Sequence, residues 1–482
     1  MPEMSRRRRM LVLAICCMSL FIVGLDTTIV NLALPAIQAN LGSSLSGLQW
    51  TIDAYTLVLA SLLMLAGSTA DRVGRRRIFQ IGLATFSIGS LLCSVAPNTG
   101  TLIAFRMVQA VGGSMLNPVA MSIITNVFTE RKERAKAIGI WGGVVGLSFA
   151  LGPVIGGVLV SAVGWRSIFW INIPVGIAAI ILTFIFVPES KAARPRRLDP
   201  VGQLLIIVLL AGLTYGIIEG PDQGWDSPWI IGCFVASGAA LVTLILVENH
   251  RPEPLLDPKF FTSVPFSSAT LIAVFGFAAL AGFLFLNSIY LQSVRGYSPL
   301  HAGLLTLPMA AMMALLPPLS GRIVAGRGAR IPLVIAGIGI FASGLVLTGI
   351  GPDTSLAAVI VGYLLFGIGF GMMNAPITNT AVSGMPTSQA GVAAAVASTS
   401  RQIGSALGVA VLGSLVTSRV VGPMTTSFAA AAEPAWIVIA GCGVLVFVLG
   451  IVSTTEWAKQ TARRTAEQFA EPAAPTLTSA KS

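Results

Sequence analysis

Long apolar stretches, separated by short polar connectors, run through almost the whole chain of 482 residues. One bilayer crossing takes about 20 apolar residues in a helix, and fourteen stretches approach or exceed this length. They lie near residues 10–36, 50–70, 78–96, 101–125, 137–161, 167–187, 201–219, 228–247, 265–290, 302–324, 331–350, 355–379, 395–417 and 434–454. The pattern predicts an all-α polytopic membrane protein with fourteen transmembrane helices and no inserted soluble domain of any size.

The composition agrees with this fold class. Apolar residues make up 55% of the chain and charged residues 10%, whereas a soluble domain carries about 25% charged residues. The five cysteines lie in apolar stretches without metal-binding spacing, so we expect small core residues and no metal site. The basic N-terminus precedes an apolar run that lacks a small-residue cleavage site, which predicts a retained first helix and not a signal peptide.

The distribution of positive charge predicts the orientation of the chain. Of the 30 basic residues, 25 lie at the N-terminus, in every second connector and in the tail, three lie in the intervening connectors, and two lie at or within apolar stretches. Because cytoplasmic loops are enriched in lysine and arginine, we expect both termini in the cytoplasm and the protein in the inner (plasma) membrane. Aromatic residues are not interleaved with the basic ones, so nucleic acid is not an expected partner.

Two sequence elements recur at a nearly constant spacing. The fourth and twelfth stretches share three residues at an offset of 257: Gly112, Met115 and Asn117 recur as Gly369, Met372 and Asn374. The connectors after the second and tenth stretches match at an offset of 254: Gly67, Gly74 and Arg76 recur as Gly321, Gly328 and Arg330. Chance similarity between glycine-rich helices is the alternative explanation.

The seventh and eighth stretches have no such match, so the repeat predicts a 6+2+6 arrangement with pseudo-twofold-related halves. Parallel halves related about the membrane normal are typical of transporters. The predicted division of the chain is an N-terminal six-helix bundle, two linker helices, a C-terminal six-helix bundle and a cytoplasmic tail, over residues 1–190, 191–260, 261–455 and 456–482.

Three charged residues lie inside the predicted helices of the first half: Asp26, Asp53 and Arg106. Charges are costly in a membrane, which makes each of them a candidate functional residue. A carboxyl group removed from water holds a proton more readily, and a nearby arginine opposes this effect. We expect Asp26 to be the main proton-coupling residue and Asp53 to sense substrate charge. A structural role in helix contacts, or an interfacial position for Asp53, is the alternative.

The second half of the chain lacks such carboxylates. Between residues 265 and 420 the only acidic residue is Asp353, in a predicted outer connector. Phenylalanines and methionines accompany the polar helix positions there, and such walls suit variable amphipathic ligands; lipid contact or core packing is the alternative. The candidate cavity residues are Asn31, Asn117, Asn287, Asn374 and Asn379.

Glycines and a proline mark the outer part of the fifth stretch, in the sequence Gly152-Pro-Val-Ile-Gly156-Gly157. Proline removes a backbone donor, and glycines permit close helix packing. Several motifs are missing from the chain: it has no GxxxxGK[ST], HExxH or GxSxG. We therefore expect neither an ATP-driven motor, nor an enzyme, nor a cofactor.

Six motifs carry a family resemblance, and they lie at residues 24–35, 67–77, 106–109, 152–157, 165–176 and 401–404. Together they resemble the fourteen-helix drug:proton antiporter branch of the major facilitator superfamily, the QacA- and EmrB-like multidrug exporters, over nearly the whole chain. The chain departs from the pattern at Ala110 and at Ser148, where the family's fourth-helix and antiporter motifs have glycine. It also lacks the C-terminal membrane carboxylates of some relatives.

The resemblance implies alternating access between two six-helix bundles, driven by proton entry. It implies coupling roles for Asp26 and Arg106 and a cytoplasmic latch made by Asp71 and Arg72. It also implies that the antiporter motif keeps the outer helices packed and limits leakage. The residues with an expected gating or conformational role are Gly67, Asp71, Arg72, Gly74, Arg75, Gly152, Pro153, Gly156, Gly157 and Arg401.

The favoured function is proton-driven export of amphipathic toxic compounds, such as drugs, antibiotics, dyes and biocides, with cationic compounds included. The expected partners are the lipid bilayer, protons and this small substrate, and we expect a functional monomer. Export of a self-made antibiotic or another metabolite is the alternative within the class. A channel or a transport-dead receptor is the alternative outside it, and the paired carboxylates and the antiporter motif argue against both.

A reporter fused after Ser482 tests the predicted orientation. We expect it on the cytoplasmic side, because the basic connectors alternate with poorly charged ones. Paired alkaline phosphatase and green fluorescent protein fusions, which are active on opposite sides of the inner membrane, make the measurement. An extracytoplasmic C-terminus would contradict the even number of helices.

Overall fold

The computed structural model describes four stretches of the chain, residues 4–192, 199–251, 257–383 and 390–469, and they contain no β-strand. The predicted tail, 456–482, is therefore described as far as residue 469. Four of the basic residues used to predict the orientation lie outside the described residues: Arg194, Arg196, Arg197 and Lys481.

The helices follow the fourteen apolar stretches. The N-terminal half contains α1 to α6, which are Arg6–Leu41, Leu45–Val73, Arg75–Ser94, Thr99–Val127, Arg131–Ala162 and Ser167–Phe186. Two further helices follow, α7 over Pro200–Gln223 and α8 over Pro228–His250. The C-terminal half contains α9 to α14, which are Val264–Val294, Leu307–Arg327, Arg330–Leu347, Leu356–Val382, Ala390–Thr417 and Met424–Val452.

Three irregular features complete the helical framework. One turn at Ile171 interrupts α6, and α9 ends in the π-helical turn Tyr290–Val294. A short helix, Pro299–Leu305, precedes α10. After α14, the polar helix α15 runs over Glu456–Gln468. We call the end of the bundle that carries Arg6 and Phe469 the terminal end, and the other the opposite end.

Thirteen helices in the described part of the chain are long and apolar enough to cross a membrane, so the protein is a multi-pass membrane protein. The fourteenth predicted span corresponds to α13, which has 28 residues but is not one of the thirteen. Serine, threonine, Arg401 and Gln402 in its first half lower its apolar character. The count of fourteen spans stays a prediction.

Local sequence signals determine where the helices begin and end. The Asn98 side chain accepts a hydrogen bond from Thr101 N, and the Thr101 hydroxyl accepts one from Asn98 N, which forms a capping box at the start of α4. Gly42 ends α1 in the left-handed conformation with φ 64°, which glycine adopts without steric cost. Gly74, with φ 131°, separates α2 from α3.

Helix packing repeats between the two halves. In the N-terminal half, α1 packs on α5, α2 and α3 pack on α4, and α3 packs on α6. The equivalent pairs pack in the C-terminal half, where α9 contacts α13, α10 and α11 contact α12, and α11 contacts α14. Helices α7 and α8 form a pair of their own, and α7 contacts both α2 and α13. This packing accords with pseudo-twofold-related halves in a 6+2+6 arrangement.

Glycines of the antiporter motif bring α5 against α1. A β-carbon added at Gly152 would overlap Thr28 Oγ1, and one added at Gly156 would lie 2.7 Å from Ile29 Cγ1. The helices therefore approach each other more closely than side chains at these positions would permit.

The equivalent contact in the C-terminal half is also made by glycines. A β-carbon at Gly404 of α13 would overlap Val274 O of α9, and one at Gly408 would overlap Ala278 O. Gly404 and Gly408 follow Gly152 and Gly156 at an offset of 252, which is close to the offsets of the other repeated elements. The repeat therefore extends to the tightest helix contacts.

The serine that departs from the antiporter motif is matched by a glycine on the facing helix. The Ser148 hydroxyl occupies space that a β-carbon at Gly24 of α1 would fill, and it donates a hydrogen bond to Val145 O at 2.8 Å. The added side chain on α5 thus faces a small residue on α1. Close packing of the two helices is preserved.

Gly156→Leu tests the importance of this packing. We expect a loss of about 1–3 kcal/mol in the free energy of unfolding, because added volume in a packed interior forces its neighbours apart. We also expect a passive leak of protons and dye through the loosened α1–α5 contact. Thermal unfolding and leak rates in vesicles are the measurements. Gly441→Leu in α14, where a β-carbon meets no atom within 4 Å, is the control. Equal leak in the two variants would contradict the prediction.

Candidate functional site

A cavity of about 1510 Å³ lies between the two halves. Eight helices line it, α1, α2, α4 and α5 from one half and their repeat equivalents α9, α10, α12 and α13 from the other. The lining extends to the terminal end, where Asp71, Asp257 and Phe469 contribute to it. Its walls are largely apolar with a few polar groups, which suits an amphipathic organic ligand.

Hydrogen bonds close the opposite end of the bundle. Gln49 Nε2 of α2 donates to Val409 O and Ala410 O of α13, both at 3.2 Å. Gln292 Nε2 of α9 donates to Leu32 O of α1 at 2.8 Å. The two halves are therefore joined at the opposite end and separated by the cavity at the terminal end.

The antiporter motif contributes to this closure through the short helix that precedes α10. A β-carbon at Gly157 would lie 2.8 Å from Pro299 O, and one at Gly303 would overlap Pro153 O. Leu300 N also donates to Ser161 Oγ at 3.1 Å. The end of α5 thus contacts both α1 and the C-terminal half.

Asp26 and Arg106 form an ion pair inside the N-terminal half. Arg106 Nη1 lies 2.5 Å from Asp26 Oδ2, and the side chains are 1% and 0% exposed. Asp26 Oδ1 accepts hydrogen bonds from Gln109 Nε2 at 2.9 Å and from Asn172 Nδ2 at 3.1 Å. Ser90 Oγ accepts hydrogen bonds from the same two amide groups at 2.7 and 3.2 Å. The network connects α1, α3, α4 and α6.

The guanidinium of Arg106 is also held on its other sides. Its Nε donates to Thr51 O at 3.2 Å, and its Nη1 donates to Gln109 Oε1 at 2.6 Å. Its Cζ lies 4.1 Å from the ring centroid of Tyr55 and 5.9 Å from that of Phe169, distances at which aromatic faces attract cations. The buried charge is therefore paired, hydrogen-bonded and covered by aromatic rings, as burial requires.

The sequence predicted functional roles for Asp26 and Arg106 but did not predict their pairing, and it gave no role to their partners. Gln109 and Asn172 stand within motifs of the family resemblance, and this was the one signal that could have identified them. Ser90 and Tyr55 carried no signal, because a serine or tyrosine in an apolar helix is common. The ion pair does not line the cavity, since α1 directs Asp26 into the N-terminal half.

Asp53 lies in a different environment on α2. It is fully buried, and neither carboxylate oxygen has a hydrogen-bond partner among the described residues. The hydroxyl of Thr56 donates to the backbone oxygens of Ile52 and Asp53 and not to the carboxylate. Ile52 and Thr56 line the cavity, whereas Asp53 does not. In this conformation Asp53 is therefore not placed to contact a substrate in the cavity.

Three of the five candidate asparagines line the cavity: Asn31, Asn117 and Asn374. Asn287 lies away from it and accepts a hydrogen bond from the Tyr363 hydroxyl in the interior of the C-terminal half. Asn379, near the terminal end of α12, is exposed and is not part of the lining. Apolar surroundings in the sequence could not separate these cases, because the direction of each side chain depends on helix packing.

The connector between α2 and α3 is folded against the end of α6. Arg75 Nη2 and Nε donate to Asp71 Oδ1 at 2.8 and 3.0 Å, and Arg75 N donates to Ser190 O at 2.9 Å. Glu189 Oε1 lies 2.7 Å from where a β-carbon of Gly74 would stand. The positive φ of Gly74 and this contact both require glycine.

The cytoplasmic latch predicted for Asp71 and Arg72 stays a prediction. In the structure, Asp71 pairs with Arg75, one helical turn later. The Arg72 side chain is exposed, and Gly67 lines the cavity. Glu189 was not predicted as a member of this cluster, since only the fold brings the end of α6 beside α3.

Arg401 of α13 also lines the cavity. Its Nη2 donates to Thr378 Oγ1 of α12 at 2.6 Å, and its Cζ lies 5.9 Å from the ring centroid of Phe277 of α9. Sequence analysis assigned it a conformational role. The structure places its guanidinium on the wall of the cavity.

Comparisons with known proteins agree with this architecture. The family model described as Major Facilitator Superfamily matches residues 16–409. The multidrug resistance protein Stp of Mycobacterium tuberculosis is 38% identical over 412 residues, which are 85% of this chain and 76% of that protein. The tetracenomycin C resistance and export protein of Streptomyces glaucescens is 36% identical over 399 residues, which are 83% of this chain and 74% of that protein.

Solved structures share the fold at low sequence identity. A bacterial homologue of the human lysosomal transporter Spinster, in an inward-facing and unoccupied conformation, matches with a TM-score of 0.63 and 18% identity over 98% of this chain and 100% of that chain. A bacterial homologue of the human drug peptide transporters PepT1 and PepT2 matches with a TM-score of 0.66 and 16% identity, over 95% and 99% of the two chains.

A double-mutant cycle tests the buried ion pair. We expect Asp26→Asn alone to cost about 3–5 kcal/mol, because it leaves the buried charge of Arg106 without a counter-charge. We expect the double variant Asp26→Asn/Arg106→Gln to lose less unfolding free energy than the sum of the losses in the two single variants. Thermal unfolding in detergent is the measurement.

Asp71→Asn is the matched control for this cycle. Its ion pair with Arg75 is partly exposed, at 33% and 16% of the two side chains, and pairs of this kind contribute about 1 kcal/mol or less. Additive losses for Asp26 and Arg106 would show that the two residues do not stabilise each other.

Proposed function

The chain belongs to the major facilitator superfamily, and from this premise we propose that it exports an amphipathic toxic compound in exchange for protons. The observation that carries the proposal is the cavity, which both halves line, which extends to the terminal end and which hydrogen bonds close at the opposite end. The protein is a membrane transporter and not an enzyme. The buried network around Asp26 supplies the ionisable groups for coupling to protons.

The substrate belongs, in this proposal, to the drugs, antibiotics, dyes and biocides. Relatives named for resistance to methylenomycin A and to puromycin support this class. Export of a self-made antibiotic or another metabolite is the alternative, and a drug-susceptibility panel in a pump-deleted host distinguishes the two. A channel would move solute without a pH gradient, and the buried ion pair with the closed opposite end argues against it.

Transport proceeds by alternating access. The bundles over residues 1–190 and 261–455 move relative to each other. Helices α7 and α8, which connect them, belong to neither bundle. The hydrogen bonds of Gln49 and Gln292 break when the opposite end opens. The glycine contacts within each half keep α1 with α5 and α9 with α13, so that each bundle moves as a unit.

In this proposal the protein lies in the inner (plasma) membrane. Its terminal end faces the cytoplasm, because the basic connectors lie at that end. The cavity is then open to the cytoplasm, from which the substrate enters. The chain acts as a monomer, since one copy supplies both walls of the cavity, and it uses protons as the coupling ion and no cofactor.

Asp26 and Asp53 have different roles in coupling. In the observed conformation, Asp26 is held by an ion pair with Arg106 and by hydrogen bonds from Gln109 and Asn172. A proton that reaches Asp26 removes its charge, releases Arg106 and weakens the contacts between α1, α4 and α6. No basic side chain in the described part of the chain pairs with Asp53. In this proposal Asp53 serves as a second proton carrier that gains a charged partner in another conformation.

The connector between α2 and α3 biases the conformational equilibrium. Asp71 and Arg75 pair within the N-terminal half in the observed state. Gly67, Arg72 and Gly74 belong to the same motif and share this proposed role. When the terminal end closes, this charged cluster meets the C-terminal half. A partly exposed ion pair of this kind contributes about 1 kcal/mol or less, which is enough to shift two states of similar free energy.

Asp26→Asn tests the coupling assignment. We expect at least a tenfold loss of efflux driven by a pH jump, because the residue can no longer release a proton. Substrate exchange without a pH gradient should persist, because Asp26 does not line the cavity. Proteoliposomes with N-phenyl-1-naphthylamine, a neutral dye, provide both measurements. Asp353→Asn, in an exposed loop, is the matched control. Normal pH-driven efflux by Asp26→Asn would exclude Asp26 as the coupling residue.

A further inference from the structure

We infer that the compounds this transporter recognises best carry an anionic group, and that the guanidinium of Arg401 binds this group in the central cavity. This inference rests on the proposed export function and specifies the substrate class for the same cavity. It contrasts with the expectation that cationic compounds are included, and it gives Arg401 a substrate-binding role in place of a conformational one.

The position of Arg401 makes the guanidinium available to a ligand. Helix α13 presents one continuous face to the cavity, made of residues three or four positions apart: Ala394, Ala395, Ser398, Arg401, Gln402, Ser405 and Val409. Arg401 lies near the middle of this face. Thr378 Oγ1 holds Nη2 at 2.6 Å, whereas the buried Nε has no hydrogen-bond partner among the described residues.

No carboxylate among the described residues compensates the charge of Arg401. None lies within 4.0 Å of it in the described part of the chain, and Asp353, the only acidic residue between positions 265 and 420, lies in an exposed loop beyond α11. Arg106, which is buried inside the N-terminal half, has Asp26 as its partner. A cation without a counter-charge in an apolar environment is costly, and an anionic ligand would remove this cost.

The remaining charges of the cavity do not favour a cation at its centre. Among the described lining residues, the acidic ones are Asp71 and Asp257, both towards the terminal end. Asp71 pairs with Arg75, and Asp257 Oδ1 accepts a hydrogen bond from Lys259 N at 2.9 Å. Asp26 and Asp53 are fully buried away from the lining. A cationic substrate would therefore meet Arg401 without a facing carboxylate.

The opposite wall adds a second element of recognition. Asn31 and Asn117 line the cavity from the N-terminal half, and the Oδ1 atom of each is buried without a hydrogen-bond partner among the described residues. These oxygens accept hydrogen bonds from hydroxyl or N–H groups. The cavity thus has a cationic donor on one wall and neutral acceptors on the other, with apolar surface between them.

The repeat shows that this asymmetry is specific to Arg401. Gly404 in α13 corresponds to Gly152 in α5, so the position three residues earlier, Arg401, corresponds to Phe149. Both Phe149 and Arg401 line the cavity. One wall therefore presents an aromatic ring where its repeat equivalent presents a cation. The matching ligand is an amphipathic organic acid with an aromatic body and hydrogen-bond donors, such as a carboxylate, a sulfonate or an acidic phenol.

A pair of dyes that differ in one sulfonate tests the inference. Proteoliposomes of the full-length chain are loaded with 8-anilinonaphthalene-1-sulfonate, which is anionic, or with N-phenyl-1-naphthylamine, its neutral parent. Valinomycin with equal potassium on both sides removes the membrane potential, so that a pH jump alone drives efflux. Ethidium, a cation, is the third probe.

We expect the wild-type protein to transport the sulfonate. Arg401→Gln should lower the initial rate for the sulfonate at least fivefold more than the rate for its neutral parent, and Arg401→Lys should give an intermediate ratio. Arg419→Gln, an exposed arginine just after the same helix, should leave the ratio unchanged. Where Arg401→Gln does not yield folded protein, Thr378→Val is the second variant, because it removes the hydroxyl that holds the guanidinium. It should also lower the rate for the sulfonate more than the rate for the neutral parent.

The opposing outcomes are distinct. Equal losses for the two naphthylamine dyes in Arg401→Gln would show that Arg401 has a structural or gating role, and would overturn the inference. Transport of the neutral dye or of ethidium, but not of the sulfonate, would overturn it while the proposed export function stands. Failure of the wild-type protein to move any of the three dyes under a pH gradient would contradict the proposed function, and the inference with it.

Discussion

A hydrogen-bond network that involves five helices, α1, α2, α3, α4 and α6, surrounds the ion pair between Asp26 and Arg106, and the architecture of the N-terminal half depends on this contact. A charge buried in a membrane protein must be compensated within the protein. The amide groups of Gln109 and Asn172 and the ring of Tyr55 provide this compensation. The same requirement explains why Arg106 is tolerated in α4, and why a change of protonation at one carboxylate can alter contacts between several helices at once.

The contacts within each half and the contacts between the halves differ in how much motion they permit. Gly152 and Gly156 hold α1 against α5, and Gly404 and Gly408 hold α9 against α13, so relative movement within each pair is restricted by backbone contact. Between the halves, the terminal end has a cavity, and the opposite end is joined by hydrogen bonds and by the contacts of Gly157 and Gly303. The contacts between the halves are therefore concentrated at one end, and these are the contacts that would change in alternating access.

Most of the fold was predictable from the sequence, because the bilayer restricts spanning segments to long apolar helices and because the two halves repeat. The number of spans was harder to predict, since α13 is long enough to cross a membrane but carries polar residues that face the cavity. The scarcity of charge in the apolar stretches identified Asp26 and Arg106 as functional candidates, whereas their pairing became visible only in the fold. The orientations of Asn287 and Asn379 could not be predicted from the sequence, because the direction in which a side chain points depends on which helix packs against it. The pairing of Asp71 with Arg75, and the proximity of Glu189, likewise depended on the fold.

The hydrogen bonds that close the opposite end have an evolutionary consequence. In three of them the acceptor is a backbone oxygen, of Leu32, Val409 or Ala410, and the donor is the amide of Gln49 or Gln292. A backbone oxygen is present whatever side chain the residue carries, so substitutions at these acceptor positions can accumulate without removing the bonds. Neighbouring residues of α1 and α13 that line the cavity are thus free to diversify under selection by new compounds, while the barrier at the closed end is maintained by two glutamines.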